Sequence, residues 1–255
     1  AREHRLPKLI PYGSVRGDLQ VQTNWTDGAA SIEEMARAAK KRGLTYIAVT
    51  DHTKALAFIG GLNDQGVARQ GKAIDALNKK LTEFRVFKGT ECDIHANGSL
   101  DLKNETLKRL EWVGISVHSA FRLSRAAQTK RVITAVSNPN VDCLFHPLAG
   151  LIGKREPIDL DLDEVIAAAK KYRVALEIDS YPERSDLNAM HVRAAVKAGV
   201  MLAVDTDAHA PEHFDFLPLG EAIARRGWAE KKDVLNTKTA KELLTWLEKK
   251  RKRKA

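Results

Sequence analysis

The stretch Tyr46–His52, YIAVTDH, places four apolar residues directly before a polar Thr-Asp-His sequence. A short continuous apolar run of this kind is typical of a strand that is buried on both faces, as in a parallel sheet. The preceding segment Ser31–Gly43 has a helical pattern, and its Ser31 and Glu34 form a capping box. The sequence therefore predicts a helix followed by a buried strand, with His52 at the end of that strand.

The same alternation of helical and apolar segments continues along the chain. Two further helical segments, Leu160–Arg173 and Asp186–Gly199, have acidic starts and precede apolar runs. This alternation predicts an α/β fold, with a parallel sheet and right-handed crossovers. About seven strands buried as continuous apolar runs favour closure into a barrel over an open sheet. The other apolar runs lie within Arg85–His95, Trp112–His118, Cys143–His146, Val174–Ser180 and Met201–His209.

Length and composition are those of one globular domain. The chain has 255 residues, 44% of them hydrophobic, and no apolar run approaches the roughly 20 residues of a membrane helix. The charged, Pro-broken start does not resemble a secretory signal, and the two cysteines lack a CxxC partner, which suits a reducing compartment. We expect a soluble, cytoplasmic protein without a membrane partner. Its predicted parts are a lead-in segment (1–16), one domain (17–247) and a basic tail (248–255).

The positive charge is concentrated at the end of the chain. The net charge is +9, and the run Lys249–Lys254, KKRKRK, consists entirely of Lys and Arg. Such a run is typical of a solvated end outside the folded domain. The same charges would also attract a nucleic-acid backbone through the release of counterions. The sequence leaves both interpretations open.

Side chains that bind metals stand where the predicted strands end. In a parallel barrel all strand C-termini lie on one rim, and active sites form on that rim. A single histidine after a strand is more often structural, but four histidines and two carboxylates in equivalent positions are hard to place by chance. Imidazole and carboxylate together suit zinc, manganese or iron. These residues are His52, Glu91, His118, His146, Asp207 and His209.

A pair of glutamines stands in the first predicted strand, within the stretch Gly17–Gly28, GDLQVQTNWTDG. Gln20 and Gln22 alternate with apolar residues, and side chains at i and i+2 share one face of a strand. They either reach into a common site or form the solvent-exposed side of an edge strand. The alternation alone is compatible with both.

Several stretches resemble the polymerase-and-histidinol-phosphatase (PHP) domain, and most closely the version attached to bacterial and archaeal family X DNA polymerases. The similarity runs from about Arg16 to Pro211. It implies a distorted (β/α)7 TIM-like barrel with a metal cleft at the C-terminal ends of the strands. The matching stretches are GDLQVQTNWTDG, VTDHTKALAFIGGL, GTECDIHANGSLD, ISVHSAF, FHPLAGLIGKREP, ALEIDSYPERSDLN and TDAHAPE.

The resemblance implies two or three divalent metal ions (Mn, Zn or Fe) in that cleft. It also implies catalytic roles for Glu91, His118, Asp207 and His209. Two ligand sets are implied to be complete. They are Glu91, His118 and His146 for one ion, and Asp27, His52 and His209 for another.

A third ion would be bound by Glu91, Asp207, Gln20 and Gln22. The family pattern has His-x-His at the last two positions, and the first of these is often Gln in the polymerase X branch. An amide oxygen is a neutral, hard ligand that suits Mn²⁺, Mg²⁺ or Ca²⁺ better than zinc. We therefore expect a third metal position that the two glutamines weaken.

The resemblance implies hydrolysis of phosphoesters. In the polymerase X branch this activity is a Mn-dependent 3′-5′ exonuclease that processes DNA 3′ ends, a DNA repair function. The implied partners are nucleic acid, DNA rather than RNA, and a polymerase. Cationic side chains should then bind substrate phosphates at the rim, and we expect Lys54, Arg155 and Arg184 in this role.

Two departures from the family pattern leave other functions open. After His146-Pro147 the family has Thr-Gly-Arg, whereas this chain has Leu148-Ala149-Gly150, so one arginine expected to bind phosphate is absent. Both members of the His-x-His pair are also replaced. The alternatives are a catalytically degenerate domain that binds nucleic acid, or a small-molecule phosphatase of the histidinol-phosphatase type. His95 and His213 are expected to lie outside the metal sites.

Overall fold

Seven parallel strands form one sheet in sequential order in the computed structural model, which describes residues 7–252. The sheet nearly closes into a barrel, because Ala208, just after the last strand, forms a parallel bridge with Val21 at the end of the first. The predicted α/β barrel is confirmed. The strands are β1 Gly17–Val21, β2 Tyr46–Val49, β3 Arg85–Asp93, β4 Trp112–Ser116, β5 Cys143–Leu144, β6 Ala175–Asp179 and β7 Leu202–Asp205.

Helices connect successive strands and cover the outside of the barrel. Ser31 and Glu34 form the expected capping box at the first helix. Gly199 ends the sixth helix with a φ of 74°, a left-handed conformation that favours glycine. The helices are α1 Ile32–Lys41, α2 Asp64–Asn78, α3 Asn104–Leu107, α4 Arg125–Val136, α5 Leu162–Tyr172, α6 Ala189–Ala198, α7 Leu217–Arg226 and α8 Ala240–Lys252. Short 3-10 segments cover Lys54–Ile59, Pro211–Phe216, Lys231–Asp233 and Leu235–Thr237.

Two apolar clusters form the core. The outer cluster lies between the strands and the surrounding helices. The inner cluster fills the barrel with side chains such as Tyr46 and Trp112, each the first residue of its strand, and Leu243 and Leu247 of α8. Helix α8 therefore closes the N-terminal end of the barrel, and the opposite rim is left for the strand ends that carry the predicted ligands.

An irregularity in β1 determines where the two glutamines lie. Asp18 pairs with Ile47 and Val21 pairs with Val49, so β1 advances three residues while β2 advances two. This bulge changes which side of the sheet successive side chains point to, so Leu19 packs in the inner cluster and Val21 in the outer cluster. Gln20 and Gln22 are both completely buried. The interpretation of the glutamines as a solvent-exposed strand face is wrong.

The expectation that the basic run is a solvated end needs correction. Helix α8 continues to Lys252, across the boundary expected at residue 248. Lys250 is fully buried, and its ammonium group donates to the Asp142 carboxylate and to the Val141 carbonyl. Arg251 donates to the backbone carbonyl of Leu110 at 3.0 Å. Part of this run therefore belongs to the fold, whereas residues 253–255 lie outside the described residues.

The described part of the lead-in segment packs against the domain. Ile10 is fully buried, and its N–H donates to the carbonyl of Ala229 at 2.9 Å. The N–H groups of Gly13 and Val15 donate to the Glu221 carboxylate on α7. Across residues 7–252, we find no helix with both the length and the apolar character needed to cross a membrane.

Candidate metal centre

The carboxyl ends of the strands bring the predicted ligands into one cleft. Glu91 lies within β3 and is completely buried at the centre of this group. The imidazole rings around it lie in contact range, with centroids 5.1 Å apart for His52 and His118 and 5.3 Å apart for His118 and His146. Of the other predicted ligands, Asp27 follows β1, and Asp207 and His209 follow β7.

One carboxylate oxygen of Glu91 faces the side of the cleft formed by β4 and β5. Its Oε1 atom lies 2.8 Å from His146 Nε2 and 3.2 Å from His118 Nε2. The Ser116 hydroxyl donates to the same oxygen at 2.5 Å. Burial alone would raise the pKa of Glu91, but the charges of His52 and His118 hold it well below its ordinary value. Glu91 is therefore an ionised carboxylate between imidazoles.

The other oxygen of Glu91 faces β1 and β2. Glu91 Oε2 lies 3.4 Å from His52 Nδ1 and accepts a hydrogen bond from Gln22 Nε2 at 2.8 Å. The second nitrogen of His52, Nε2, lies 3.7 Å from Asp27 Oδ2, and this carboxylate oxygen lies 3.5 Å from His209 Nε2. The two halves of the cleft thus meet at Glu91 and His52.

His146 Nε2 and Glu91 Oε1 are at hydrogen-bond distance, but the other histidine–carboxylate separations, from 3.2 to 3.7 Å, fit bound metal ions better than direct hydrogen bonds. Metal–ligand bonds of about 2.0–2.2 Å in a tetrahedral site hold the ligand atoms roughly 3.4 Å apart. Potential ligand atoms lie within 4.8 Å of one another in the group of Asp27, His52 and His209 and in the group of His52, Glu91 and His118. His52 Nδ1 and His118 Nε2 are buried without a hydrogen bond to any described residue. The donor set therefore fits divalent ions.

Protonated imidazoles balance the carboxylates in the protein without metal. Burial opposes the charge on His118, but Glu91 and Asp93 raise its pKa to about 9. Burial likewise opposes charge on His209, whereas Asp207 and Asp27 raise its pKa to about 10. A metal-bound imidazole must be neutral, so each ion that binds would displace these protons.

The residues predicted to form the weakened third site include further buried polar atoms. Both amide atoms of Gln20, Gln22 Oε1 and Asp207 Oδ1 are buried and have no hydrogen-bond partner among residues 7–252. Leaving such a group unsatisfied costs about 1–3 kcal/mol. Oxygen atoms of amides and a carboxylate fit a hard divalent cation, so these residues also suit the predicted third ion. The assignment of ligands to individual ions stays a prediction.

Comparison with known proteins identifies the family of this fold and site. Residues 18–181 match the family model described as the PHP domain. The chain belongs to the PHP family. This is a family of metal-dependent phosphoesterases, and the match confirms the family resemblance predicted from the sequence.

Relatives of this PHP domain carry two kinds of name. This chain is 40% identical over 240 residues to the "DNA polymerase/3'-5' exonuclease PolX" of Bacillus subtilis (strain 168). The comparison covers 94% of this chain but only 42% of that relative. This chain is also 33% identical over 236 residues to a "probable phosphatase" of Thermoanaerobacter sp. (strain X514), with 88% of this chain and 90% of the relative covered.

A solved structure with the same fold is the histidinol phosphate phosphatase of Lactococcus lactis, complexed with zinc, L-histidinol and phosphate. The TM-score is 0.63 with 15% sequence identity, and the comparison covers 85% of this chain and 95% of that one. At this identity the likeness concerns the fold alone.

Arg184 lies beside the metal centre of the PHP domain. Its side chain is 12% exposed, and its Nε atom lies 3.3 Å from Asp179 Oδ2 and 3.8 Å from Asp207 Oδ2. Its Nη1 atom is buried without a hydrogen-bond partner in the described part of the chain. The guanidinium thus has donor capacity available at the cleft.

The other two cations predicted to bind phosphate differ in their placement. The guanidinium of Arg155 lies over the Phe121 ring at 4.2 Å and donates through Nε to the Ala149 carbonyl at 2.8 Å. Burial and the nearby charge of Arg184 lower the pKa of Arg155. Lys54 is exposed at the start of a 3-10 segment. A phosphate-binding role for all three stays a prediction.

Residues that orient the ligands were missed in the sequence. Asp93 Oδ2 lies 3.4 Å from His118 Nδ1 and is buried. Such a carboxylate fixes the ring orientation of a ligating histidine. The sequence contained a signal for it, because Asp93 stands two residues after Glu91 on the same strand and so shares its face.

Two hydrogen bonds hold the backbone N–H groups of predicted ligands in place. The N–H of His209 donates to His213 Nδ1 at 3.1 Å, and the N–H of His146 donates to Glu177 Oε2 at 2.6 Å. The sequence predicts His213 outside the metal sites. It is not in either group of potential ligands, but it contacts the backbone of one predicted ligand. His95 lies 3.3 Å from Asp101 through Nε2, also outside both groups.

Proposed function

We propose that this PHP domain is a metal-dependent nuclease that removes nucleotides from DNA 3′ ends in the 3′-5′ direction. The observation that carries the proposal is the presence of two potential ligand groups that share His52, with Arg184 3.8 Å from the predicted ligand Asp207. The 40% identity to a protein named as a polymerase and 3′-5′ exonuclease supports nucleic acid as the substrate. A role in DNA repair and a polymerase as partner follow from the same similarity.

The residues of the cleft have roles that suit this reaction. Divalent ions bound there would activate a water molecule as nucleophile and neutralise charge on the phosphoryl oxygens. Glu91, His118 and His209 would help to hold these ions, with His118 and His209 on opposite sides of the cleft. The free donor of Arg184 suits a non-bridging phosphate oxygen, because a guanidinium binds phosphate with several N–H groups.

The test is digestion of 5′-labelled single-stranded DNA in Mn²⁺ by the wild type and by His118→Ala. We expect a ladder of shortened products from the wild type and a rate at least about 100-fold lower for the variant, because it loses a ligand. His191→Ala, in helix α6 and outside both ligand groups, is the matched control and should keep the wild-type rate. A ladder that persists unchanged in His118→Ala would contradict the proposal.

Small-molecule phosphatase activity is the second candidate function. It is supported by the probable phosphatase of which this chain covers 90%. Turnover of small phosphomonoesters without DNA cleavage would favour this function over the nuclease. A gel shift without any cleavage would instead favour a degenerate domain that binds nucleic acid.

We also propose that Gln20 and Gln22 weaken one of three metal positions. Wild-type protein dialysed against zinc-free buffer should retain about two ions per chain, whereas Gln20→His should retain about three, because imidazole binds zinc better than an amide does. Gln20 is the position to change, since Gln22 donates to Glu91 and Gln20 donates to no described residue. Plasma mass spectrometry gives the metal content of each variant.

Gln20→Leu is the matched control for the metal analysis. It removes the amide oxygen at similar volume, so the content should stay at about two ions. Three ions retained in the wild type after dialysis would contradict the proposed weakening.

A further inference from the structure

Phe58 is unusually exposed for a large apolar side chain, with 85% of its surface accessible. It lies on the 3-10 segment Lys54–Ile59, which begins two residues after His52. Phe58 therefore lacks the stabilisation that burial of a phenylalanine side chain supplies. Isolated exposed apolar residues are ordinary, so the meaning of Phe58 depends on its surroundings.

The segment that carries Phe58 is braced against the metal centre. The N–H of Leu62 donates to the carbonyl of His52 at 2.8 Å, and the N–H of Lys54 donates to the carbonyl of Leu62 at 3.0 Å. The N–H of Ala55 donates to the buried Asp101 carboxylate at 2.8 Å. A Cβ atom at Gly61 would lie 2.0 Å from the Thr53 carbonyl oxygen, so only glycine permits this closure. Phe58 is thus presented on a loop tied to the backbone of a predicted ligand.

A second exposed apolar side chain lies across the rim. Ile152 is 62% exposed in the loop that follows β5, and its N–H donates to the Glu183 carbonyl at 2.6 Å. Strands β2 and β5 are three positions apart in a ring of seven, so their loops stand on opposite sides of the barrel. Arg155 and Arg184 belong to the Ile152 side, because the Leu151 N–H donates to the Arg155 carbonyl and the Ile152 N–H donates to the carbonyl of Glu183, the neighbour of Arg184. The cleft therefore has exposed apolar side chains on both sides, with Lys54 on the Phe58 side and Arg155 and Arg184 on the Ile152 side.

We propose that Phe58 is a platform on which an unpaired nucleobase of the substrate stacks, so that the enzyme selects single-stranded ends. This inference rests on the proposed nuclease function. A base in a duplex is already stacked on its neighbours. An unpaired base offers a free flat face, and stacking on an aromatic side chain tolerates every base. Phosphates of the same strand would face Arg155 and Arg184.

The test compares Phe58→Ala with the wild type on a single-stranded oligonucleotide and on a fully abasic oligonucleotide of the same length, a phosphodiester without a base. We expect KM for the oligonucleotide to rise roughly 5- to 150-fold, the range that corresponds to one stacked base, while the rate on the base-free substrate stays unchanged. Phe58→Trp should keep the wild-type KM. Tyr12→Ala is the matched control, since Tyr12 is 58% exposed and lies against Arg225 in the last turn of α7.

Abasic sugars placed singly at successive positions near the 3′ end identify the stacked base. At one position, the abasic substrate should lose its sensitivity to Phe58→Ala, because the contact is already absent. The proposed stacking on Phe58 would be contradicted if Phe58→Ala lost activity equally on the oligonucleotide and on the base-free substrate, or if it kept the wild-type KM for the oligonucleotide.

Fluorescence anisotropy of a labelled single strand in Ca²⁺ separates failure of the platform from failure of the nuclease function. Binding by a wild type that cleaves no DNA in Mn²⁺ would refute the nuclease, and weaker binding by Phe58→Ala would still support the platform. Binding that Phe58→Ala leaves unchanged, or an absence of binding by the wild type, would overturn the platform.

Discussion

Replacing Glu91 by glutamine is expected to lower the rate of phosphoester hydrolysis by on the order of 10³-fold or more, because metal ions contribute several kcal/mol to stabilising the transition state. Glu91 Oε1 contacts His118 and His146, and Oε2 contacts His52 and Gln22. Glutamine keeps the shape of the side chain but has one oxygen and no charge, so it cannot hold ions on both sides. Metal content and kcat measured on the same preparation check this prediction.

The amide introduced by Glu91→Gln would also force one of its hydrogen-bond partners to reorient. Its NH2 group must face either Gln22 Nε2 or the Ser116 hydroxyl, both of which donate to Glu91 in the wild type. Glu91→Asp keeps the charge on a shorter side chain and should fall between the wild type and Glu91→Gln. Glu248→Gln makes the same change on an exposed face of α8 and should leave rate and metal content unaltered. Wild-type metal content in Glu91→Gln would contradict the central role of this carboxylate.

The strand ends were the part of the site that the sequence predicted well. Each apolar run that ends on a histidine or carboxylate indicates both a strand and the position of its last side chain. A parallel barrel then brings those ends together on one rim, regardless of the length and sequence of the connecting helices. This is why the order of residues alone is enough to group His52, Glu91 and His118, which lie in one group of potential ligands. Asp27 could be assigned as a ligand only from the family resemblance, because it lies in a turn that has no periodic hydrophobic pattern.

Features that depend on pairing between strands could not be predicted. The bulge between Asp18 and Val21 arises from the register against β2, and no single strand encodes that register. Simple alternation placed Leu19 and Val21 on one face, whereas the bulge separates them into two clusters. The burial of Gln20 follows from this geometry.

Contacts between segments that are distant in the sequence could not be predicted either. His213 contacts the backbone of His209 because the 3-10 segment Pro211–Phe216 turns the chain back, which helical and strand periods do not report. The basic run at the end of the chain looks solvated by composition alone. Only the packing of α8 beneath the barrel shows that one of its lysines meets a buried carboxylate, Asp142.

The buried pair of Asp142 and Lys250 yields the largest stability effect that we expect. Both side chains are almost inaccessible to solvent, and Lys250 Nζ lies 2.5 Å from Asp142 Oδ1. Asp142→Asn removes the negative charge and leaves the ammonium group buried without a counterion. Removing one partner of a buried ion pair typically costs about 3–5 kcal/mol, so the free energy of unfolding should fall by that amount. Urea denaturation monitored by circular dichroism measures it.

Lys250→Met should cost less than Asp142→Asn because the carboxylate keeps other partners. Asp142 Oδ2 accepts a hydrogen bond from the N–H of Val113 at 3.0 Å and lies 3.4 Å from Arg251 Nη2. The double variant should lose less free energy of unfolding than the two single losses combined, since it leaves no uncompensated buried ammonium.

Lys249→Met is the matched control, because Lys249 is the exposed neighbour of Lys250 on the same helix and loses the same charge. Its free energy of unfolding should stay within about 0.5 kcal/mol of the wild type. If Asp142→Asn were as stable as Lys249→Met, the ion pair beneath the barrel would not hold α8 in place. The basic run would then have to be assigned, as its composition suggests, to contacts outside the fold.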